Sequence, residues 1–253
     1  MKGSRLAGTA IAVIGLLAGS APAASQYWDT SAGAGIQGGD GTWSTAIADT
    51  NWSDSPAGSD LSTWTNGNDA WFVTPANAVG SAITLSNTVN AGAVKMTGSP
   101  YALIVTNGGQ LFSTAASTVG NCPASNRVLV TGNGSLWSST GALTVGSNGQ
   151  VVVDGGGWLI ISNGATVNSY GTVPYGLLVT NGGRVYYTNT LSYGTGSGTN
   201  TLLITGNGSV FSGPGDTLVG SSWMTVGGGG RGGNSIRIEN GGMFTNARLT
   251  VSG

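Results

Sequence analysis

From about residue 80 onward, short apolar runs alternate with clusters of Gly, Asn and Ser. One template recurs. A run such as "LIVT", "VLVT", "LIIS", "LLVT", "LLIT" or "IRIE" leads into a glycine corner. A second run follows, "QLFS", "SLWS", "RVYY", "SVFS" or "MFTN", and then a third short one, "STVG", "LTVG" or "TLVG". Runs of this length, rich in β-branched residues and bounded by turn formers, predict strands. The punctuation is Asn-Gly, at Asn107, Asn133, Asn148, Asn163, Asn181, Asn207 and Asn240.

A longer repeat contains the shorter one. Shifting the chain by 74 positions lays Leu103–Ser147 on Leu177–Ser221 without a gap, so that "LIVTNGG" meets "LLVTNGG" and "VTGNGS" meets "ITGNGS". Asn-Gly between apolar runs is a strong hairpin signal. A parallel β-solenoid, in which each template is one coil stacked on the next, competes with that reading. The fidelity of the template favours the solenoid, as do corners longer than a two-residue hairpin loop. Aromatic residues also recur at matched places, at Phe112, Trp137, Tyr186, Phe211 and Phe244. The expected fold is therefore all-β, a right-handed parallel β-helix. Asn107, Gly108, Asn133, Gly134, Asn181, Gly182, Asn207 and Gly208 are then structural corners, where Asn and Gly accept a left-handed backbone.

The first eighty residues follow other rules. Lys2 and Arg5 precede an apolar stretch from Leu6 to Gly19, and "SAPAAS" offers small residues for cleavage after Ala23 or Ala24. Residues 1–24 are expected to be a secretory signal, since the stretch is short for a bilayer span of about 20 residues, and the mature chain should have no membrane span. Residues 25–78 hold five of the eight tryptophans and six of the nine acids. This segment predicts a small Trp-rich β cap over an open end of the repeats at 79–253. A second reading makes Trp43, Trp52 and Trp64 a platform for sugar rings or another surface partner.

Composition narrows the chemistry. With 47 glycines but only 7 % charged residues, the chain is neither collagen-like nor charge-rich disorder. Without Lys2 and Arg5, six basic residues face nine acidic ones, which argues against a nucleic-acid partner. Cys122 cannot form an internal disulfide, and with no His it lacks the usual base for a catalytic thiol. No phosphate-loop motif occurs, and Arg231 among glycines is weak evidence for one. "GGDGTW" and "VDGGGW" do not follow the calcium-repeat pattern, so no metal or cofactor is expected. The enzymatic alternative is a polysaccharide lyase or glycoside hydrolase. It would have to use Asp154 or Asp216 with a nearby Arg, Glu239 being the remaining acid of the repeats.

"YWDTSAGAGIQGGDGTWSTAIADTNWSDS", followed by "TWTNGNDAWFV", resembles the start of large bacterial surface proteins built from autotransporter-associated β-strand repeats. "LIVTNGGQLFS" and "LLITGNGSVFS" are similar to the passenger repeats of that group. The resemblance implies an exported solenoid at the cell surface or released from it, acting as scaffold, adhesin or matrix component without catalytic residues. Such proteins usually end in a translocating barrel or sorting tail, whereas this sequence stops at "RLTVSG" within a coil. The expectation is a truncated chain whose uncapped coil could self-associate end to end.

Overall fold

The structure is a computed structural model describing residues 23–75, 81–98, 100–195, 199–213, 224–227, 233–245 and 248–252. Nearly all of the expected signal segment lies outside them. Every regular element among the described residues is a strand, and the strands form three sheets of ten, eight and seven. The chain visits the sheets in turn. One coil runs from Tyr101–Val105 in the first sheet to Gln110–Ser113 in the second and Ser117–Val119 in the third. The next coil repeats the circuit with Asn126–Thr131, Leu136–Ser139 and Leu143–Val145, each paired in parallel with its predecessor. This is the expected β-solenoid, with coils about 4.8 Å apart.

The register explains the long repeat. Leu103 pairs with Val128, Val128 with Val151, and Val151 with Leu177. The 74-residue shift is thus three coils, and "LIVTNGG" returns to the same place in the fourth.

The core is a set of columns. Leu85, Val105, Val130, Val153, Val179 and Ile204 stack in the first sheet, all fully buried. In the second sheet Val89, Leu111, Trp137, Leu159, Val185 and Phe211 do the same. Burying each such side chain stabilises by roughly 1.5–3 kcal/mol, and the coils above and below supply the cover.

Register also corrects the expected aromatic ladder. Trp137 pairs with Leu111, and Ser138 with Phe112, so Trp137 points inward while Phe112 points outward. Phe211 pairs with Val185 and with the half-buried Phe244, which puts both inside, while Tyr186 is outside. The cause is the corner. "TGNGS" is one residue longer than "TNGG" between matched strand positions, and in a strand one residue exchanges the faces.

The third strand above "SVFS" needs a similar correction. The run "TLVG" lies outside the described residues, and the strand that stacks there is Met224–Gly227, with Met224 opposite Leu191.

Two corner spellings solve one geometric problem. In "TNGG", Asn107 and Gly108 both adopt left-handed backbone, with φ of 52° and 78°. In "TGNGS", Gly132 and Gly134 take the left-handed positions and Asn133 is relieved of one. Gly109 is needed for a different reason, because a Cβ there would lie 2.3 Å from the Leu85 carbonyl oxygen of the preceding coil. The longer corner places Ser135 here, and its hydroxyl accepts the Gly108 N–H at 3.2 Å. Ser209 accepts Gly182 N–H at 3.0 Å in the same way, three coils later. Asn107, Asn133, Asn181, Asn207 and Asn240 all mark this first corner. Asn148 and Asn163 belong to the other two, so the seven steps are three kinds of corner.

The N-terminal segment is continuous with the solenoid. Asp69–Phe72 joins the third sheet in parallel beneath Val94–Met96, and Gly41–Thr42 adds to the first. At the other end, the inward positions Ile238, Leu249 and Val251 are 50, 47 and 71 % exposed. Their buried equivalents one coil earlier are Ile204, Met224 and Val226.

The two corner roles predict different costs. Gly109→Ala should destabilise by about 1–3 kcal/mol, because backbone must move to admit the methyl group. Asn107→Gly should change stability by no more than about 0.5 kcal/mol, since glycine accepts the same φ. Thermal unfolding of the two variants beside the wild type checks the order.

Candidate functional site

Trp43, Trp52 and Trp64 are 0, 1 and 4 % exposed and do not form a platform for sugars. They close the end of the bore. Trp52 sits edge-on to Trp28 at 5.3 Å between ring centroids and 4.6 Å from Trp64, while Trp43 lies 5.0 Å from Trp64. Phe72 packs on Trp28, Trp43 and Trp52, and passes the cluster on to Tyr101 in the second complete coil. Such ring geometries add about 0.5–1.5 kcal/mol per pair beyond area burial. The sequence reading that made this segment a cap matches the packing; the platform reading fails because the ring faces are spent on one another.

The acids of the cap hold its loops. Asp29 accepts the N–H groups of Ser31 and Gln37, Asp40 that of Ala82 at 2.7 Å, and Asp69 that of Ala93 at 2.7 Å. Asp54 accepts the Gln26 amide at 2.8 Å. Gln26, itself buried, also donates to the Thr63 carbonyl and accepts Thr65 N–H at 2.8 Å. Backbone donors that no strand ladder satisfies are thereby paired.

In the repeats, Asp154 lies at the first corner of its coil. It accepts Thr131 Oγ1 from the coil before at 3.2 Å and Asn181 Nδ2 from the coil after at 2.8 Å. Glu239 pairs with Arg237 at 2.8 Å on the surface. Asp216 and Arg231 lie outside the described residues. Among the described residues no three metal-binding side chains come together, and no helix is long and apolar enough to cross a membrane.

Cys122 is buried with its thiol donating to the Ala124 carbonyl, and burial pushes the thiol above its usual pKa. Beside it, the fully buried Asn126 accepts Tyr101 N–H at 2.9 Å and donates to the carbonyls of Met96 and Gly98. Asn126 is a coil-to-coil splice, and the thiol is part of its packing.

One cluster escaped sequence reasoning. On the outer face of the second sheet, the Arg184 guanidinium lies 5.2 Å from the centroid of the Trp158 ring in the adjacent coil. Tyr186 stands beside them, and with Trp158 it is among the most exposed aromatic side chains of the repeats, at 38 and 40 %. The signal was present in strand parity: Trp158, Arg184 and Tyr186 all fall on outward positions once the corner is counted correctly.

Compared with protein-family models, curated proteins and solved structures, the chain matches none.

Trp43→Ala should cost about 3–5 kcal/mol, as removal of a buried aromatic side chain does. Trp43→Phe should cost much less, because the Trp43 indole N–H has no acceptor and Phe keeps most of the ring. Chemical denaturation followed by fluorescence separates the two. Alkali supplies a second test. Burial pushes the Tyr187 hydroxyl up to about 12 and raises Tyr101 and Tyr193 as well. The unfolded chain ionises first, so this stability is complete below the unfolded value of about 10 and is lost as pH rises through the folded values. Tyrosinate absorbance during a base titration should show a late group of tyrosines that ionises together with unfolding.

Proposed function

We propose that the mature chain works outside the cell as a structural β-solenoid, displayed or released as an adhesin-like passenger or scaffold, and that it catalyses no reaction. The observation that carries this reading is the filled bore: columns of Val, Leu, Ile and aromatic side chains occupy the inside from coil to coil. Contacts with partners then belong to the outward faces and corners. The acids favour the same reading. Asp154, the described candidate for polysaccharide cleavage, joins three coils at a corner, and the cap acids close loops. The signal-like N-terminus and the passenger-like repeats support the location.

Expression of the complete sequence in a bacterial host, with fractionation and N-terminal sequencing, tests export. The expected product begins at Ala24 or Ser25 and is found outside the cytoplasm. An intact chain retained inside would overturn the location. Incubation with a polysaccharide panel should release no reducing ends or unsaturated sugars, and release dependent on Asp154 would overturn the non-catalytic role.

A further inference from the structure

In the third sheet one outward column carries hydroxyls over five coils, at Thr118, Thr144, Thr166, Ser192 and Thr225. The second sheet departs from this where Leu136, Trp158, Arg184 and Val210 stack in one outward column and Ile160, Tyr186 and Ser212 in the next. A shallow depression of about 230 Å³ opens there, lined by Trp158, Arg184, Val185, Tyr186, Val210 and Ser212. Its one charge is Arg184. No carboxylate of a described residue lies within ion-pair distance of that guanidinium, and Asp154, in the adjacent coil, is engaged by Thr131 and Asn181 instead. The cation is held over an indole ring, which fixes its position while leaving its N–H donors for a ligand.

We propose that this face binds a polysaccharide bearing carboxylates, with Trp158 and Tyr186 stacking on sugar rings and Arg184 pairing with a uronate carboxylate. Sugar rings offer C–H faces to aromatic rings and polar groups at their rims, which suits two aromatic side chains each more than a third exposed beside a planar donor. The anionic class follows from the unpaired Arg184. A peptide added by strand pairing is disfavoured, since the strands Trp158–Ile161 and Arg184–Tyr187 are each paired on both sides and the face presents side chains only. The inference rests on the reading of the chain as a scaffold with contacts on its outer faces. It is read on purified protein, so a failure of export and a failure of binding are seen separately.

The test is calorimetric titration of the purified chain with hexagalacturonate, with cellohexaose and with a short polyglutamate. Hexagalacturonate should bind, with affinity falling on the order of tenfold in Trp158→Ala and in Arg184→Ala and weakening with salt. Cellohexaose should bind at least about tenfold more weakly and respond to Trp158→Ala but not to Arg184→Ala. Both side chains face outward, so the variants should unfold at the wild-type temperature. No binding of hexagalacturonate, or binding indifferent to both substitutions, would overturn the site. Equal affinity for cellohexaose would overturn the anionic class, and equal affinity for polyglutamate would overturn the sugar.

Discussion

Everything in this structure depends on coil lying over coil in register. Parallel pairing places each residue above its equivalent at about 4.8 Å, so whatever occupies a position meets its own kind again in the next coil. Apolar residues gain from that arrangement, and the bore columns are its product. Charges lose, because like charges stacked opposite one another repel. The 7 % charge content of the sequence is a consequence of the fold rather than an adaptation of its surface. Thr and Ser tolerate the stack, which accounts for the outward column from Thr118 to Thr225. The close approach of Gly109 to Leu85 expresses the same constraint at a corner, where backbone crosses backbone and a side chain has no room.

A stack of coils must also begin somewhere, and its first coil has nothing beneath it. Here the cover is made of rings. Trp28, Trp52 and Phe72 come from short strands at the end of the third sheet and Trp43 and Trp64 from the loops between them, and together they fill the bore with large, rigid surface. Irregular loops leave N–H groups without ladder partners, and carboxylates are the acceptors that meet them. The tryptophans and acids of this segment divide the work: the rings cover the end, Asp29 satisfies N–H groups of the cap's own loops, and Asp40 and Asp69 tie the segment to Ala82 and Ala93 of the next coil.

The period of the fold was legible because stacking forces repetition, and repetition survives in letters. The solenoid, its corners and the cap all follow from "TNGG", "TGNGS" and the displaced tryptophans. Facing was not legible from aligned letters. Phe112 and Trp137 look equivalent by similarity, yet one extra residue in the longer corner turns them to opposite sides of the sheet. Similarity counts residues from the corner, whereas burial counts them along the strand, and the two agree only where corners have equal length. The same slip hid the Trp158, Arg184 and Tyr186 cluster, while Trp43, Trp52 and Trp64 stood out by composition alone and their rings are inside.

The stacking constraint also says where a solenoid of this kind can carry specificity. Inward columns are interchangeable among apolar residues, and corners are fixed by backbone geometry. Outward positions are less constrained, and an apolar side chain there is not by itself a departure, since the first sheet stacks Ile104, Leu129, Val152, Leu178 and Leu203 on its outward face. A cation is the least expected departure, since in register it would tend to meet another. Arg184 avoids this because its neighbours along the column are Trp158 and Val210, one offering a ring face and the other no charge. Two aromatic side chains around it keep more than a third of their surface in water, though inward positions were available to bury them. The proposed binding of a ligand at this surface would use both.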